Sequence, residues 1–265
     1  MTLISKLTSW FNNKGKVLIA LSGGVDSALV AYAAFQELRN RAIAVTANYQ
    51  SISSSELNYT KKICSEIGIT QIILTYDELQ NDNFVRNDKN RCYYCKNELG
   101  KNLQRLVKLH NINTIVDGTN IDDYGDYRPG IKAIRNNNIR SPLVELGFTK
   151  SMIRNTAKLI GLSVHAKPSD SCLSSRIPWT SKITKEKLIR IELSETIIKH
   201  EANIKQIRVR DIDGTAKIEV DKDELKLLTK HKLDSIRNKL YLIGFSTIMV
   251  DPEGYKPGKL NFISN

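Results

Sequence analysis

Two kinds of residue in this 265-residue sequence could do chemistry: glycines and serines in a phosphate-sized turn, and cysteine thiols. The turn is Ser22-Gly-Gly-Val-Asp-Ser27. The thiols are a C-x-x-C formed by Cys92 and Cys95, together with Cys172 in a serine-rich stretch. Glycines let the backbone curl around phosphate oxygens, and thiolates act as nucleophiles or metal ligands. The sequence therefore predicts a phosphate site and a set of three functional thiols.

The glycine–serine turn follows a predicted buried strand, Val17–Leu21, and opens a predicted helix, Val25–Arg39. At such a junction, exposed N–H groups and the helix dipole favour an anion. Asp26 could hold Mg²⁺ or position a phosphate through it, and Ser22 is predicted to assist as a hydroxyl donor. The alternative is a tight turn without a ligand. The predicted nucleotide-binding residues of the turn are Ser22, Gly23, Gly24, Val25, Asp26 and Ser27.

The cysteines have several possible roles. The segment Arg91–Lys96 is predicted to be a loop before a helix, so that both of its thiols project. Three thiolates suit a [4Fe–4S] cluster with one iron left open, but half a zinc site or a redox pair remain alternatives. Cys172 lies between Lys167 and Arg176 in sequence, and their charges would favour a nucleophilic thiolate. Cys64 recurs with apolar residues at helical spacing, which predicts a core thiol.

Further polar residues are predicted to complete the site. Asn48 and Gly118 each follow a predicted strand, and open α/β sheets bind ligands at the carboxyl ends of their strands. We expect both to line the nucleotide pocket, together with Lys167. Guanidinium groups bind carboxylates and phosphates bidentately. The predicted substrate-binding arginines are Arg128, Arg176, Arg208 and Arg210, the last two on one face of a strand.

The elements that must position these residues alternate between strands and helices. The predicted order is strand 17–21, helix 25–39, strand 42–48, helix 54–67, strand 71–75, helix 96–110, strand 114–117 and helix 149–160. This alternation predicts an α/β fold with a doubly wound, mainly parallel sheet and helices on both faces.

The pattern changes after Trp179. A helix over 185–200 is followed by a predicted hairpin, 206–210 and 216–220, around Asp213-Gly214. A broken helical stretch over 223–244 and a strand over 247–250 complete the chain. The sequence therefore predicts two domains: residues 1–175, which carry the turn and the three cysteines, and residues 176–265, a smaller α+β domain for substrate binding or oligomerisation.

Composition and net charge indicate which classes of ligand the protein could bind. Lys and Arg number 40 against 28 Asp and Glu, a net charge of +12, which suits phosphorylated ligands or nucleic acid but also a merely solubilising surface. No uncharged apolar stretch reaches the length of a membrane span, and Met1–Lys16 lacks the apolar core of a secretory signal. The four cysteines are too few for a disulfide scaffold. We expect a cytoplasmic protein with no membrane partner.

The Ser-Gly-Gly-Val-Asp-Ser turn resembles the pyrophosphate loop of the N-type ATP pyrophosphatases, which implies cleavage of ATP to AMP and pyrophosphate to activate an oxygen. The sequence also resembles the LarE family across nearly the whole chain, most clearly at Asp126–Gly130, Lys167–Arg176 and Ile207–Arg210. This second resemblance narrows the class of enzyme. That resemblance implies an ATP-dependent sulfur transferase in nickel-pincer nucleotide biosynthesis. Its substrate would be pyridinium-3,5-biscarboxylic acid mononucleotide, whose carboxylates become thiocarboxylates.

The resemblance also implies roles for the cysteines. In one branch of the family, the cysteine that matches Cys172 gives up its sulfur and becomes dehydroalanine. In the other branch, the C-x-x-C and that cysteine hold an iron–sulfur cluster that carries a sulfide for transfer. Cys92 and Cys95 resemble the second branch, which implies ATP, Mg²⁺ and a [4Fe–4S] cluster as cofactors, a separate sulfide source and a homo-oligomer.

Two other functions remain open from the sequence. A tRNA thiolase of the same superfamily would also combine a pyrophosphate loop with three cysteines, and the net positive charge would suit tRNA. A nucleotide-binding module with a structural metal would bind ATP without turnover. The serines and Asp26 are more than simple binding requires, which favours an enzyme.

Overall fold

The computed structural model describes residues 2–125, 129–168 and 170–256. They form two compact units. The first takes in the described residues of Met1–Glu78 and Cys92–Asp170, and the second those of Leu79–Arg91 and Ser171–Asn265. Segment 79–91 therefore belongs with the second unit, although it precedes half of the first in sequence. The domain boundary near residue 175 stays a prediction.

A five-stranded parallel sheet forms the first unit, in the order β3-β2-β1-β4-β5. The strands are β1 (Val17–Ala20), β2 (Ala42–Asn48), β3 (Thr70–Thr75), β4 (Thr114–Val116) and β5 (Ile139–Arg140). The central strand is β1, and its Val17 aligns with Ala42 of β2 on one side and Thr114 of β4 on the other. The order reverses between β1 and β4, which defines the switch point where such sheets bind ligands.

Helices cover both faces of this sheet. The helices up to residue 160 are α1 (Leu3–Ser9), α2 (Val25–Leu38), α3 (Ser54–Ile67), α4 (Asp82–Val85), α5 (Arg91–His110), α6 (Pro129–Asn136), α7 (Pro142–Glu145) and α8 (Lys150–Leu159). Of these, α4 belongs to the second unit and is not part of the layers on this sheet. Ile19 of β1 packs in one core with Leu29 of α2, and Leu18 packs in another with Leu103 of α5. Successive side chains of a strand point to opposite faces, so these two cores confirm the predicted doubly wound α/β fold.

Helix α5 begins earlier than the sequence predicts. The expected loop Arg91–Lys96 is instead its first turn and a half. Asp88 starts the helix: its side chain accepts a hydrogen bond from Asn90 N at 2.7 Å, and its carbonyl accepts one from Arg91 N at 3.0 Å. The C-x-x-C therefore lies within the helix. Hydrophobic periodicity does not predict this earlier start, because the first turn of the helix is polar.

The second unit contains a three-stranded sheet of order β6-β7-β8, together with α9 and α10. Its elements beyond residue 180 are α9 (Lys185–Ala202), β6 (Ile207–Ile212), β7 (Thr215–Val220), α10 (Lys230–Leu242) and β8 (Thr247–Val250). Strands β6 and β7 are antiparallel, whereas β7 and β8 are parallel. Asp213 and Gly214 both have positive φ, 47° and 87°, as a tight hairpin turn requires. The predicted hairpin and the separate α+β character are confirmed.

Segment 79–91 is anchored in the second unit by the side chain of Asn87. This buried amide donates hydrogen bonds to the carbonyls of Ile177, Pro178 and Ser181, at 3.3, 2.7 and 2.9 Å. Its oxygen accepts from Arg91 Nη1 at 2.7 Å. A buried amide with this many partners fixes its segment strongly, because breaking any bond would leave a desolvated polar group.

Within the described residues, no helix is both long enough and apolar enough to cross a membrane.

We predict that Cys64 resists alkylation in the folded protein. Its side chain lies in the core beside α2, and burial raises the pKa of the thiol to about 12. At about pH 8, roughly one thiol in 10⁴ would be ionised, so reaction with iodoacetamide is suppressed. In metal-free protein, the exposed Cys92 should react under the same conditions. Peptide mass spectrometry with and without denaturant checks this, and rapid labelling of native Cys64 would contradict the buried position.

Candidate active site

The turn Ser22–Ser27 lies directly after the central strand, at the carboxyl edge of the parallel sheet. Its two serines hold it in shape: Ser27 Oγ accepts from Ser22 N at 3.1 Å, lies 3.1 Å from Ser22 Oγ and donates to the carbonyl of Gly24 at 3.2 Å. Gly24 caps helix α2 without a side-chain hydrogen bond. Among the described residues, the first amides of α2 therefore have neither an intrahelical nor a capping partner, which is the arrangement that binds anions.

Gly118 allows the chain after β4 to touch the first turn of α2. A Cβ at this position would lie 2.5 Å from Ser27 N and 2.8 Å from Ser27 Cα, closer than real contacts allow. The neighbouring Asp117 is buried, and its carboxylate accepts from Thr119 N at 3.2 Å and from Ser141 Oγ at 2.7 Å. The structure thus brings Gly118 against the turn, and its predicted contact with a nucleotide stays a prediction.

Asp26 forms an ion pair that sequence reasoning missed. Its carboxylate bonds Lys150 Nζ, and Asn120 Nδ2 approaches its other oxygen at 3.5 Å. Lys150 is the first residue of α8 and its own N–H donates to Asp122 at 2.5 Å. The partners are 124 residues apart, so only the fold brings them together. The role of Asp26 in holding Mg²⁺ stays a prediction.

Lys167 lies near the end of the first unit in sequence, and its side chain contacts the turn. Its Nζ donates to the Gly23 carbonyl at 3.0 Å and to Glu56 Oε2 at 2.6 Å, and it lies 4.3 Å from the centre of the Tyr59 ring. Arg154 supports this position by donating to the carbonyl of Lys167 at 3.0 Å. Sequence reasoning selected Lys167 but not Glu56, whose spacing in α3 carries no sign of this contact.

Asn48 lies at the end of β2 and is half buried. Its Nδ2 donates weakly to Thr75 Oγ1, at 3.4 Å, across the pair of strands β2 and β3. The structure therefore shows Asn48 joining strand ends, and its predicted contact with a nucleotide is untested.

Cys92 and Cys95 lie three residues apart on the first turns of α5, so their side chains share one face of the helix. Cys92 is exposed and Cys95 half buried. Next to Cys95 lies the buried carboxyl of Glu78, which accepts from Ser51 N at 2.9 Å. Burial raises the pKa of Glu78 to about 7, partly opposed by its hydrogen bonds to Ser51 and Cys95. Sequence reasoning missed Glu78, which lies outside the motif.

Cys172 belongs to the second unit and precedes a short 3₁₀ turn, Leu173–Arg176. Its half-buried Sγ lies 3.0 Å from Ser174 Oγ. Cys92 and Cys95 belong to the first unit, so no unit by itself holds all three thiols. Within each unit, the described residues contain no group of three His, Cys, Asp or Glu side chains placed to hold a metal ion.

The predicted substrate arginines of the second unit are buried and engaged with their own unit. Arg176 pairs with Glu195 at 2.9 Å, and Arg210 pairs with Glu219 at 2.8 Å. Arg208 donates to the carbonyl of Ile207 at 2.7 Å and stacks near a tyrosine ring. Buried ion pairs hold Arg176 and Arg210 in fixed positions. Their contact with substrate stays a prediction, and Arg128 lies outside the described residues.

Comparison with known proteins identifies the chain. Residues 16–91, which span the turn, match the family described as Queuosine biosynthesis protein QueC. The turn, its position at the switch point of a parallel sheet and this match define a protein of the pyrophosphate-loop ATPase class. The chain is 38% identical to uncharacterized protein slr1717 of Synechocystis sp., over 97% of its own length and 96% of the relative's.

Two further relatives narrow the class. Uncharacterized protein MJ0830 of Methanocaldococcus jannaschii is 30% identical over 96% of both chains. Pyridinium-3,5-bisthiocarboxylic acid mononucleotide synthase of Lactiplantibacillus plantarum is 28% identical over 93% of this chain and 89% of the synthase. The chain belongs to the LarE family.

We predict that Gly118→Ala destabilises the first unit. The added methyl group would collide with backbone atoms of Ser27, so the turn or the end of β4 must move. We expect the free energy of unfolding to fall by about 1–3 kcal/mol, as for overpacked sites. Gly125→Ala is the matched control, because a Cβ there meets nothing within 4 Å. Denaturant unfolding of both variants is the measurement, and equal stability would contradict the close approach.

Proposed function

We propose that this protein is an ATP-dependent sulfur transferase that converts a carboxylate of pyridinium-3,5-biscarboxylic acid mononucleotide into a thiocarboxylate. The observation that carries the proposal is the uncapped start of α2 behind the Ser22–Ser27 turn. It supplies an anion site at the switch point of the sheet, in a chain that aligns over 93% of its length with a synthase of the bisthiocarboxylic mononucleotide.

The first step is activation of the carboxylate. The amides and hydroxyls of Ser22–Ser27 bind the β- and γ-phosphates of ATP. Asp26, which pairs with Lys150 in the structure, would hold Mg²⁺, and the ion would neutralise phosphate charge. A substrate carboxylate oxygen attacks the α-phosphorus, the α–β bridging bond breaks, and pyrophosphate leaves. The resulting acyl adenylate has a good leaving group, AMP, and no longer carries the carboxylate charge.

The second step is attack of sulfur on the acyl carbon, with release of AMP. Cys172 is the residue we assign to this step, because its half-buried thiol lies beside the hydroxyl of Ser174. If Cys172 itself attacks, a thioester forms; loss of its α-proton and cleavage of its Cβ–S bond then leave dehydroalanine and the thiocarboxylate. If an external sulfide attacks instead, Cys172 remains intact.

We assign Cys92, Cys95 and Cys172 to a [4Fe–4S] cluster, which when bound would supply an open iron that carries the sulfide. Support comes from the shared helical face of Cys92 and Cys95. Arg91, the residue before Cys92, is anchored in the second unit through its hydrogen bond to the Ser174 carbonyl at 3.0 Å.

The remaining assignments follow from charge and compartment. Arg176, Arg208 and Arg210, with Arg128, are assigned to the phosphate and carboxylates of the substrate, which requires Arg176 and Arg210 to exchange their glutamate partners for the ligand. The net charge of +12 favours such an anion. We place the protein in the cytoplasm, where free thiols persist, as a homo-oligomer that receives sulfide from another protein.

We predict that Asp26→Asn lowers ATP- and substrate-dependent pyrophosphate release by at least about 100-fold, because the turn loses its charged group for Mg²⁺. Asp82→Asn is the matched control, since Asp82 also occupies the first turn of a helix but lies in the second unit. A coupled pyrophosphate assay measures both. Undiminished release in Asp26→Asn would remove the role assigned to the turn.

We predict that anaerobically purified protein contains iron and absorbs visible light, and that Cys92→Ala, Cys95→Ala and Cys172→Ala each lose both signals. Cys64→Ala is the control, because this thiol lies in the core. Stoichiometric zinc and no iron would reject the cluster.

The fate of Cys172 after turnover with ATP and the mononucleotide is measured by mass spectrometry of the protein. An intact Cys172 supports sulfide transfer, whereas dehydroalanine at this position supports self-consumption. Thiolated tRNA in place of thiocarboxylate would favour the tRNA thiolase.

A further inference from the structure

Helix α3 places one face of its first two turns against the glycine–serine turn. A Cβ on Gly23 would lie 3.1 Å from Thr60 Cγ2, 3.2 Å from Glu56 Oε2 and 3.7 Å from Lys167 Nζ. Gly23 has φ +81°, so glycine is favoured there by backbone conformation as well as by space. The carboxylate of Glu56 is therefore packed directly against a turn that we assign to pyrophosphate.

Glu56 is fixed in this position from both ends. Its N–H donates to Ser53 Oγ at 3.2 Å, which caps α3 and sets the first turn. Its Oε2 accepts from Lys167 Nζ at 2.6 Å, and both side chains are largely buried, with 20% and 16% exposed. The ring of Tyr59 lies under the ammonium group at 4.3 Å. Together these contacts hold the lysine in one place.

A carboxylate beside a polyphosphate would repel it unless a cation neutralised the carboxylate. Lys167 does this, and the same ammonium group also bonds the Gly23 carbonyl at 3.0 Å. The described chain has no cis peptide bonds. In a trans peptide the C=O and N–H point in opposite directions. The bond to Lys167 therefore also sets the direction of the Gly24 N–H, which belongs to the proposed phosphate-binding turn.

We infer that Glu56 is a positioning residue: it holds Lys167 on the Gly23 carbonyl, and the pair orients the Gly24 amide for the pyrophosphate of ATP. Lys167 acts through the backbone and through charge neutralisation of Glu56, and not as a direct ligand of phosphate. This inference rests on the proposed function, because it concerns the same ATP-binding turn. It assigns a role to a carboxylate that the C-x-x-C and pyrophosphate-loop motifs leave out.

A double-mutant cycle tests this in the full chain, with the dissociation constant of Mg²⁺ α,β-methylene-ATP measured by calorimetry. We expect Lys167→Gln to weaken binding at least about tenfold, because it leaves Glu56 unpaired beside the turn. Glu56→Gln keeps an oxygen that accepts from Lys167, so it should change binding by less than about threefold. Glu56→Ala cannot hold the lysine and should weaken binding at least about fivefold, and unchanged affinity in this variant would contradict the positioning role. The double variant should regain affinity to within about threefold of Glu56→Gln, since two glutamines can hydrogen-bond each other and the Gly23 carbonyl.

Glu66→Gln is the matched control, because it removes one carboxylate from the same helix. Glu66 does not face the turn; its Oε1 accepts a hydrogen bond of 2.8 Å from Ser163 N. Its affinity should match that of the wild type. The amide resonance of Gly24 in ¹⁵N-glycine-labelled protein is a second readout. It should shift in Lys167→Gln and return toward its wild-type position in the double variant, and thermal unfolding confirms that each variant is folded.

The outcomes separate the two proposals. If the wild type binds the analogue and the double variant is as weak as Lys167→Gln or weaker, Lys167 contacts phosphate directly and the positioning role is wrong, while the ATP-dependent function stands. If the wild type does not bind the analogue, both proposals fail. Recovery of affinity in the double variant supports the positioning role.

Discussion

The first unit depends on one steric constraint: the chain leaving β4 must pass against the backbone at the start of α2. Gly118 meets this constraint, because any side chain there would enter the space of Ser27. The contact joins the strand ends on the two sides of the switch point, and the buried Asp117 holds the chain in place through Thr119 and Ser141. With α2 fixed in this way, its uncapped amides and the serine-closed turn keep their shape without a ligand. A preorganised anion site costs less to occupy than one that must be ordered on binding.

The sequence predicts well whatever depends on neighbours along the chain. Strand β2 and helix α3 have the predicted bounds, since a continuous apolar run and a capped amphipathic segment carry their own signals. The glycine–serine turn is likewise local, and so is the hairpin at Asp213-Gly214. The predicted start of α5, at Lys96, is wrong. The helix begins earlier, after a turn in which the side chain of Asp88 accepts from Asn90 N, and this turn contains no apolar residue to signal it. Local hydrogen bonding of this kind competes with periodicity as a signal.

What the sequence could not predict is the set of partners that the fold brings in from a distance. Lys150 pairs with Asp26 across 124 residues, and Lys167 pairs with Glu56 across 111. Lys150 does not differ by type or spacing from the many other lysines of a strongly basic chain, and the sequence selects Lys167 without its partner Glu56, so only the fold reveals the two pairs. The same holds for segment 79–91, which joins the second unit through the carbonyl bonds of Asn87. No shift in composition marks that segment, because its contacts are made by two polar side chains and by backbone groups.

The anchoring of Asn87 has a consequence for how the protein is made. Its amide bonds Pro178, 91 residues further along the chain. At ribosomal rates of about 5–20 residues per second, this side chain waits roughly 5–18 s before its acceptors are synthesised. The first unit cannot be completed as a continuous piece either, since its chain is interrupted between Glu78 and Cys92. Until its acceptors are made, the amide of Asn87 hydrogen-bonds water, and segment 79–91 gains its fixed place only once residues 177–181 have been added, which leaves the segment open to proteolytic nicking during synthesis.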